Sequence, residues 1–119
     1  MKQFFDYLLV VDFEATCQEG SHSFPNEIIE FPIVVVDVNT LEIQRDKCFH
    51  SYVKPWRRPK LTRFCTDLTG IQQKNVDAAP NLPEVIKMIE VWLDKTFDKD
   101  TKFMFATDGP WDFKNFLYK

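Results

Sequence analysis

Two carboxylates two residues apart, Asp12 and Glu14, close an apolar run that reads Tyr-Leu-Leu-Val-Val-Asp-Phe from Tyr7 to Phe13. On a strand, residues i and i+2 share a face, so both acids point the same way. Two like charges at the end of an apolar strand repel each other and lose hydration. A divalent cation offsets both costs, and hard carboxylate oxygens suit Mg²⁺ or Mn²⁺. The competing explanation is a strand end that merely reaches water, with both acids hydrated. Asp-x-Glu is a common pattern and by itself leaves both readings open.

A third acid enters near the end of the chain, in Thr107-Asp108-Gly109-Pro110-Trp111-Asp112-Phe113. This segment follows a strand pattern and opens a helical one. Asp112 then falls in a first helical turn, where the helix dipole favours an acid. It is either a helix-start residue or a third carboxylate aimed at the same cation. Asp108 competes for that role but is better explained by the turn itself. A further segment, Phe64-Cys65-Thr66-Asp67-Leu68-Thr69-Gly70-Ile71, reads by itself as a short helix with a glycine stop.

The elements that must hold these residues follow from periodicity and breakers. The run up to Phe13 has the continuous apolar character of a central strand buried on both faces. Residues 16–26 have loop composition. Glu27–Val38 is a second strand, in which Pro32 marks an irregularity or an edge. Asn39-Thr40 turns into a third strand over Leu41–Val53, so the first three strands form an antiparallel meander. Leu61–Leu68 is a short helix with Thr62 as its cap and Gly70 as its stop. Asn81–Phe97 is the clearest helix: Asn81 caps it, Pro83 lies in its first turn, and Leu82, Val85, Ile86, Ile89, Leu93 and Phe97 make one apolar face. Lys102–Thr107 is a fourth strand, and a last helix begins at Trp111. The predicted architecture is a mixed α/β sheet with helices packed on it.

The bulk properties narrow the function. A chain of 119 residues with 45% hydrophobic content builds one domain and not two. Its net charge of −3 argues against a protein that binds nucleic acid by bulk electrostatics, although a bound cation attracts phosphate on its own. Lys54, Arg57, Arg58, Lys60 and Arg63 form the one basic cluster. It is either a contact for a nucleic-acid backbone or a solvated loop. Cys17, Cys48 and Cys65 form no CxxC pair, which argues against structural zinc and for reduced thiols in the cytoplasm or nucleus. The N-terminus has no signal-peptide pattern, and no segment approaches a membrane span.

The combination is far more specific than its parts. Val11-Asp12-Phe13-Glu14-Ala15-Thr16-Cys17, Glu27-Ile28-Ile29-Glu30-Phe31-Pro32, Phe64–Ile71 and Thr107–Asp112 occur in this order. Together they resemble the DEDDh 3′–5′ exonucleases, a ribonuclease H-like family. Within it they resemble the branch that trims histone mRNA ends, small RNAs and 5.8S ribosomal RNA. The resemblance implies metal-dependent removal of nucleoside 5′-monophosphates from RNA 3′ ends by two Mg²⁺ or Mn²⁺ ions. It makes Asp12, Glu14 and Asp112 metal ligands, and gives Glu14 a part in activating the attacking water. It places Ala15, Thr16, Phe64, Leu68, Thr69 and Trp111 around the terminal nucleotide, with Phe64 and Trp111 holding the base.

The family continues beyond the second motif to a His that acts as general base and a last metal-binding Asp. His22, in a loop, and His50, in a strand, match neither its position nor its spacing. The chain is therefore expected to be the N-terminal portion of a single exonuclease domain, with three of the four acids. Loss of a general base typically costs about 10²–10⁴-fold. The alternative reading is a product without catalysis that binds nucleic acid or a protein partner.

Overall fold

A computed structural model describes residues 4–20 and 24–107. Its frame is a sheet of five strands: β1 (Tyr7–Val11), β2 (Glu14–Ala15), β3 (Ile28–Asp37), β4 (Phe49–Tyr52) and β5 (Phe103–Thr107). Strand β1 lies between β3, which runs antiparallel to it, and β5, which runs parallel. Strand β4 pairs antiparallel with β3. The expected meander is present, and the parallel β1–β5 pair makes the sheet mixed. Three helices follow β4: α1 (Arg63–Thr69), α2 (Gln73–Asp77) and α3 (Leu82–Thr96). They occupy the long crossover between β4 and β5 that a parallel neighbour of β1 requires. No helix among the described residues is long and apolar enough to cross a membrane.

Helix boundaries follow local chemistry. Thr62 Oγ1 accepts from the Cys65 N–H at the start of α1, and Gly70, at φ 78°, ends it in the left-handed conformation. Asn81 and Glu84 form a reciprocal capping box at the start of α3. Helix α2, which sequence periodicity did not reveal, is a single short turn capped by Gln72 and Asn75. The third strand is much shorter than expected. After an isolated bridge at Ile43 the chain enters a 3₁₀ turn at Arg45–Lys47, and β4 begins only at Phe49.

Two cores form. The larger joins one sheet face to α3: Leu9, Val11, Phe13, Phe31, Ile33 and Val35 pack against Val85, Ile89 and Phe97. The smaller joins Ile29 to Leu61, Cys65, Ile71 and Val76 of the α1–α2 segment, with Cys17 and Tyr52 against it. In β1 only the alternate residues Leu9 and Val11 are buried, while Leu8 and Val10 are half-buried. The strand is central, as its apolar run implied, but among the described residues its second face is not fully covered.

Candidate metal and nucleotide site

The site is made by an interruption in one strand. The pairs Val11↔Ile33 and Glu14↔Glu30 belong to one unshifted register, so β2 continues β1 along the same flank of β3. The ladder breaks only at Asp12–Phe13, where that register sets Pro32 opposite Asp12. Proline has no N–H to give. The irregularity that Pro32 implied therefore lies between β1 and β2, at the first carboxylate.

Side-chain alternation survives the break. Phe13 and Phe31 meet edge to face with ring centroids 4.5 Å apart, both buried in the larger core. Asp12 and Glu14, one residue either side of Phe13, consequently face away from that core and share the opposite face. Asp12 is exposed and Glu14 half-buried. Glu30 is the cross-strand partner of Glu14, which puts a third carboxylate on this face. Glu30 Oε2 lies 2.6 Å from His50 Nε2, and the His50 ring stands edge-on to Tyr52. Sequence reasoning missed this pair. It depends on the β3–β4 register, which sets His50 opposite Pro32 and so diagonal to Glu30.

A bulge then brings α1 to the same face. After Glu14↔Glu30 the next pair is Ala15↔Ile28, so Ile29 is an extra residue on β3. Such an insertion re-aims the side chains beside it. Ile28 enters the larger core and Ile29 the smaller one, under α1. The join between α1 and the β2 segment is polar as well as apolar. Thr62 Oγ1 donates to the Cys17 carbonyl at 2.6 Å, and the Cys65 thiol points at the Ala15 carbonyl, with Sγ 3.6 Å from the oxygen. Phe64 and Leu68, one turn apart on α1, present a half-buried and a 67% exposed apolar side chain. Thr69 is committed inside its helix, its Oγ1 donating to the Cys65 carbonyl.

Thr16 holds the turn rather than offering free groups. Its side chain is buried, donates to the Pro25 carbonyl and accepts from the Glu27 N–H. Its own N–H reaches the Glu27 carbonyl and its carbonyl accepts from Asn26 Nδ2. Next to it, burial pushes the Cys17 thiol up to about 11, helped by its contact with Cys65 and by the negative field of Cys65 and Glu14. At neutral pH Cys17 is a protonated packing residue and not a nucleophile.

Asp12 and Glu14 supply hard oxygen donors from one face, which fits a divalent cation of the Mg²⁺ or Mn²⁺ type. Among the described residues no group of three His, Cys, Asp or Glu side chains is gathered around one metal position. Trp111, Asp112 and the competing Asp108 lie outside the described residues, as does His22.

The family described as "Exonuclease" matches residues 9–119. This chain belongs to the exonuclease family. Its match begins within β1 and takes in both carboxylates. Among curated relatives, human 3′-5′ exoribonuclease 1 is 43% identical over 116 residues, covering 96% of this chain and 33% of the relative. Human ERI1 exoribonuclease 3 is 45% identical over 117 residues, covering 97% and 34%. The chain thus spans about a third of the length of the relatives it matches. In solved structures the exonuclease-family fold superposes closely on the nuclease domain of 3′hExo, a DEDDh family member, bound to rAMP. The TM-score is 0.89 at 42% identity, covering 99% of this chain and 59% of that one. The ribonuclease H-like exonuclease fold and the DEDDh resemblance are both borne out.

Proposed function

We propose that residues 1–119 are the N-terminal portion of a 3′–5′ exoribonuclease domain, in which Asp12, Glu14 and Asp112 bind two divalent cations beside an RNA 3′ end. The observation that carries this reading is the unbroken register across Asp12–Phe13, which sets Asp12 and Glu14 on one face. A further support is a similar structure described as 3′-end specific recognition of histone mRNA stem-loop by 3′-exonuclease, at TM-score 0.89 and 42% identity, of which this chain covers 52%.

When bound, a pair of divalent cations supplies the positive charge that an in-line attack on phosphorus needs at its entering and leaving oxygens. The chain's own groups do the rest. Asp12, at the break between β1 and β2, and Glu14, at the start of β2, would hold that charge on one face. Glu14 also accepts a hydrogen bond from the attacking water and orients it toward phosphorus. Ala15 lies against the terminal nucleotide, and Thr16, satisfied within the chain, fixes its position. Phe64 and Trp111 hold the terminal base, and Leu68 and Thr69 complete the pocket wall. Stacking holds a base without reading its identity and contributes about 1–3 kcal/mol.

The test is release of nucleoside 5′-monophosphate from single-stranded RNA by the 119-residue chain in Mn²⁺, beside Asp12→Ala. Metal-dependent release that Asp12→Ala abolishes is the expected result. Equal release from both proteins contradicts the proposal.

A further inference from the structure

Next to the Thr16 turn lies a cavity of about 390 Å³ whose polar lining is Asn26, Glu27, Lys54, Trp56, Arg57 and Asn81. Ile28, Val53, Leu82 and Pro83 complete its lining, so it opens toward the start of α3, and Asn26 and Glu27 link it to the proposed terminal-nucleotide position through their hydrogen bonds to Thr16. The turn that forms its wall is held through its backbone N–H groups. The Glu27 carboxylate accepts from the N–H groups of Trp56, Arg57 and Arg58 at 3.0, 2.9 and 3.1 Å. Two consequences follow. Both Glu27 carboxylate oxygens are turned onto the backbone of the turn, where three N–H dipoles oppose their charge. And the side chains of Trp56 and Arg57 are released from structural duty.

Trp56 is 79% exposed. A large aromatic in water beside a cavity is a surface awaiting a flat partner. The surrounding charge is one-sided: residues 54–63 read Lys-Pro-Trp-Arg-Arg-Pro-Lys-Leu-Thr-Arg, five cations without an acid, in a chain whose net charge is −3. Arg58 is partly withdrawn, stacked over the Phe24 ring at 5.1 Å, and Arg63 faces Asp67 at 3.8 Å. Lys54 and Arg57 line the cavity itself. An aromatic platform flanked by cations is the arrangement that binds single-stranded nucleic acid, the base on the ring and the phosphate on the cations.

We propose that Trp56, Arg57 and Lys54 form a second nucleotide subsite for single-stranded RNA, holding a nucleotide upstream of the terminal one. This rests on the reading of the Asp12–Glu14 face as the position of the RNA 3′ end. The subsite keeps the strand extended on its way to that face. It accepts any base, because stacking is tolerant of sequence.

Equilibrium binding of a fluorescent single-stranded RNA decamer to the intact chain in EDTA reads the subsite without turnover. Binding of a nucleoside 5′-monophosphate in Mn²⁺ reads the terminal position separately. Trp56→Ala weakens decamer binding by roughly tenfold, and Trp56→Phe restores most of it. Arg57→Gln lowers the slope of log affinity against log salt by about 0.7. Asp12→Ala removes Mn²⁺-dependent monophosphate binding. Decamer affinity indifferent to Trp56→Ala overturns the subsite while leaving the terminal site intact. Double-stranded RNA binding as tightly as the single strand also overturns it. Trp56-dependent decamer binding without Mn²⁺-dependent monophosphate binding supports the subsite and sinks the terminal-site reading instead.

Discussion

At the scale of single residues, two neighbouring positions do opposite work. Asp12 is exposed, so its value to the fold is small, and Asp12→Ala should change unfolding stability by no more than about 0.5 kcal/mol in EDTA. The Tm rise that Mn²⁺ gives the native chain should disappear in the same variant, which a pair of melting curves checks. Cys17 is the reverse case, a group whose protonation belongs to the fold. Its folded thiol ionises near 11 against an ordinary 9.0, held up first by burial and then by Cys65 and Glu14. Below pH 9 neither folded nor unfolded chain has lost this proton, and the contribution to stability is whole. As pH rises from about 9 to about 11 the unfolded chain loses its proton first, so stability falls. Cys17→Ser should flatten that alkaline decline in a pH series of melting temperatures.

At the scale of elements, helices α1 and α3 serve different masters. Helix α3 supports the sheet from the larger core, and Asn81→Ala should cost about 1 kcal/mol through its lost cap, which melting curves read. Helix α1 is tied to the site itself. Thr62→Val removes both the hydrogen bond to the Cys17 carbonyl and the cap on Cys65, at a cost of about 1–2 kcal/mol. It should also weaken binding of a nucleoside 5′-monophosphate in Mn²⁺, which equilibrium dialysis measures. These elements differ in how clearly the sequence announced them. Helix α3 was readable because a long apolar period, Asn81 as a cap and Pro83 in the first turn agree. Helix α1 was readable from Thr62 and Gly70. The pairing of Asp12 with Glu14 on one face followed from strand alternation, and Pro32 announced the irregularity beside them. Three features were not readable. Helix α2 is too short to carry a period. The extra residue at Ile29 depends on which strand pairs with which, and a single sequence does not state that. The Glu30–His50 pair is a diagonal contact between the adjacent strands β3 and β4, and it depends on their register.

At the scale of the whole molecule, an acidic chain is proposed to hold a polyanion. Its net charge of −3 leaves no general attraction for RNA. Affinity must then come from two local features: cations bound at the Asp12–Glu14 face, and the basic turn around Trp56. The two lie on either side of the Thr16–Glu27 hydrogen bonds, so one rigid segment sets their spacing. The terminal-nucleotide site depends on the carboxylate face binding metal. The most direct test is titration of the chain with Mn²⁺, following the free-ion signal by electron paramagnetic resonance, for the native sequence and for Asp12→Ala. Saturable binding by the native chain that Asp12→Ala removes is the predicted result; equal binding by both, or none by either, contradicts it.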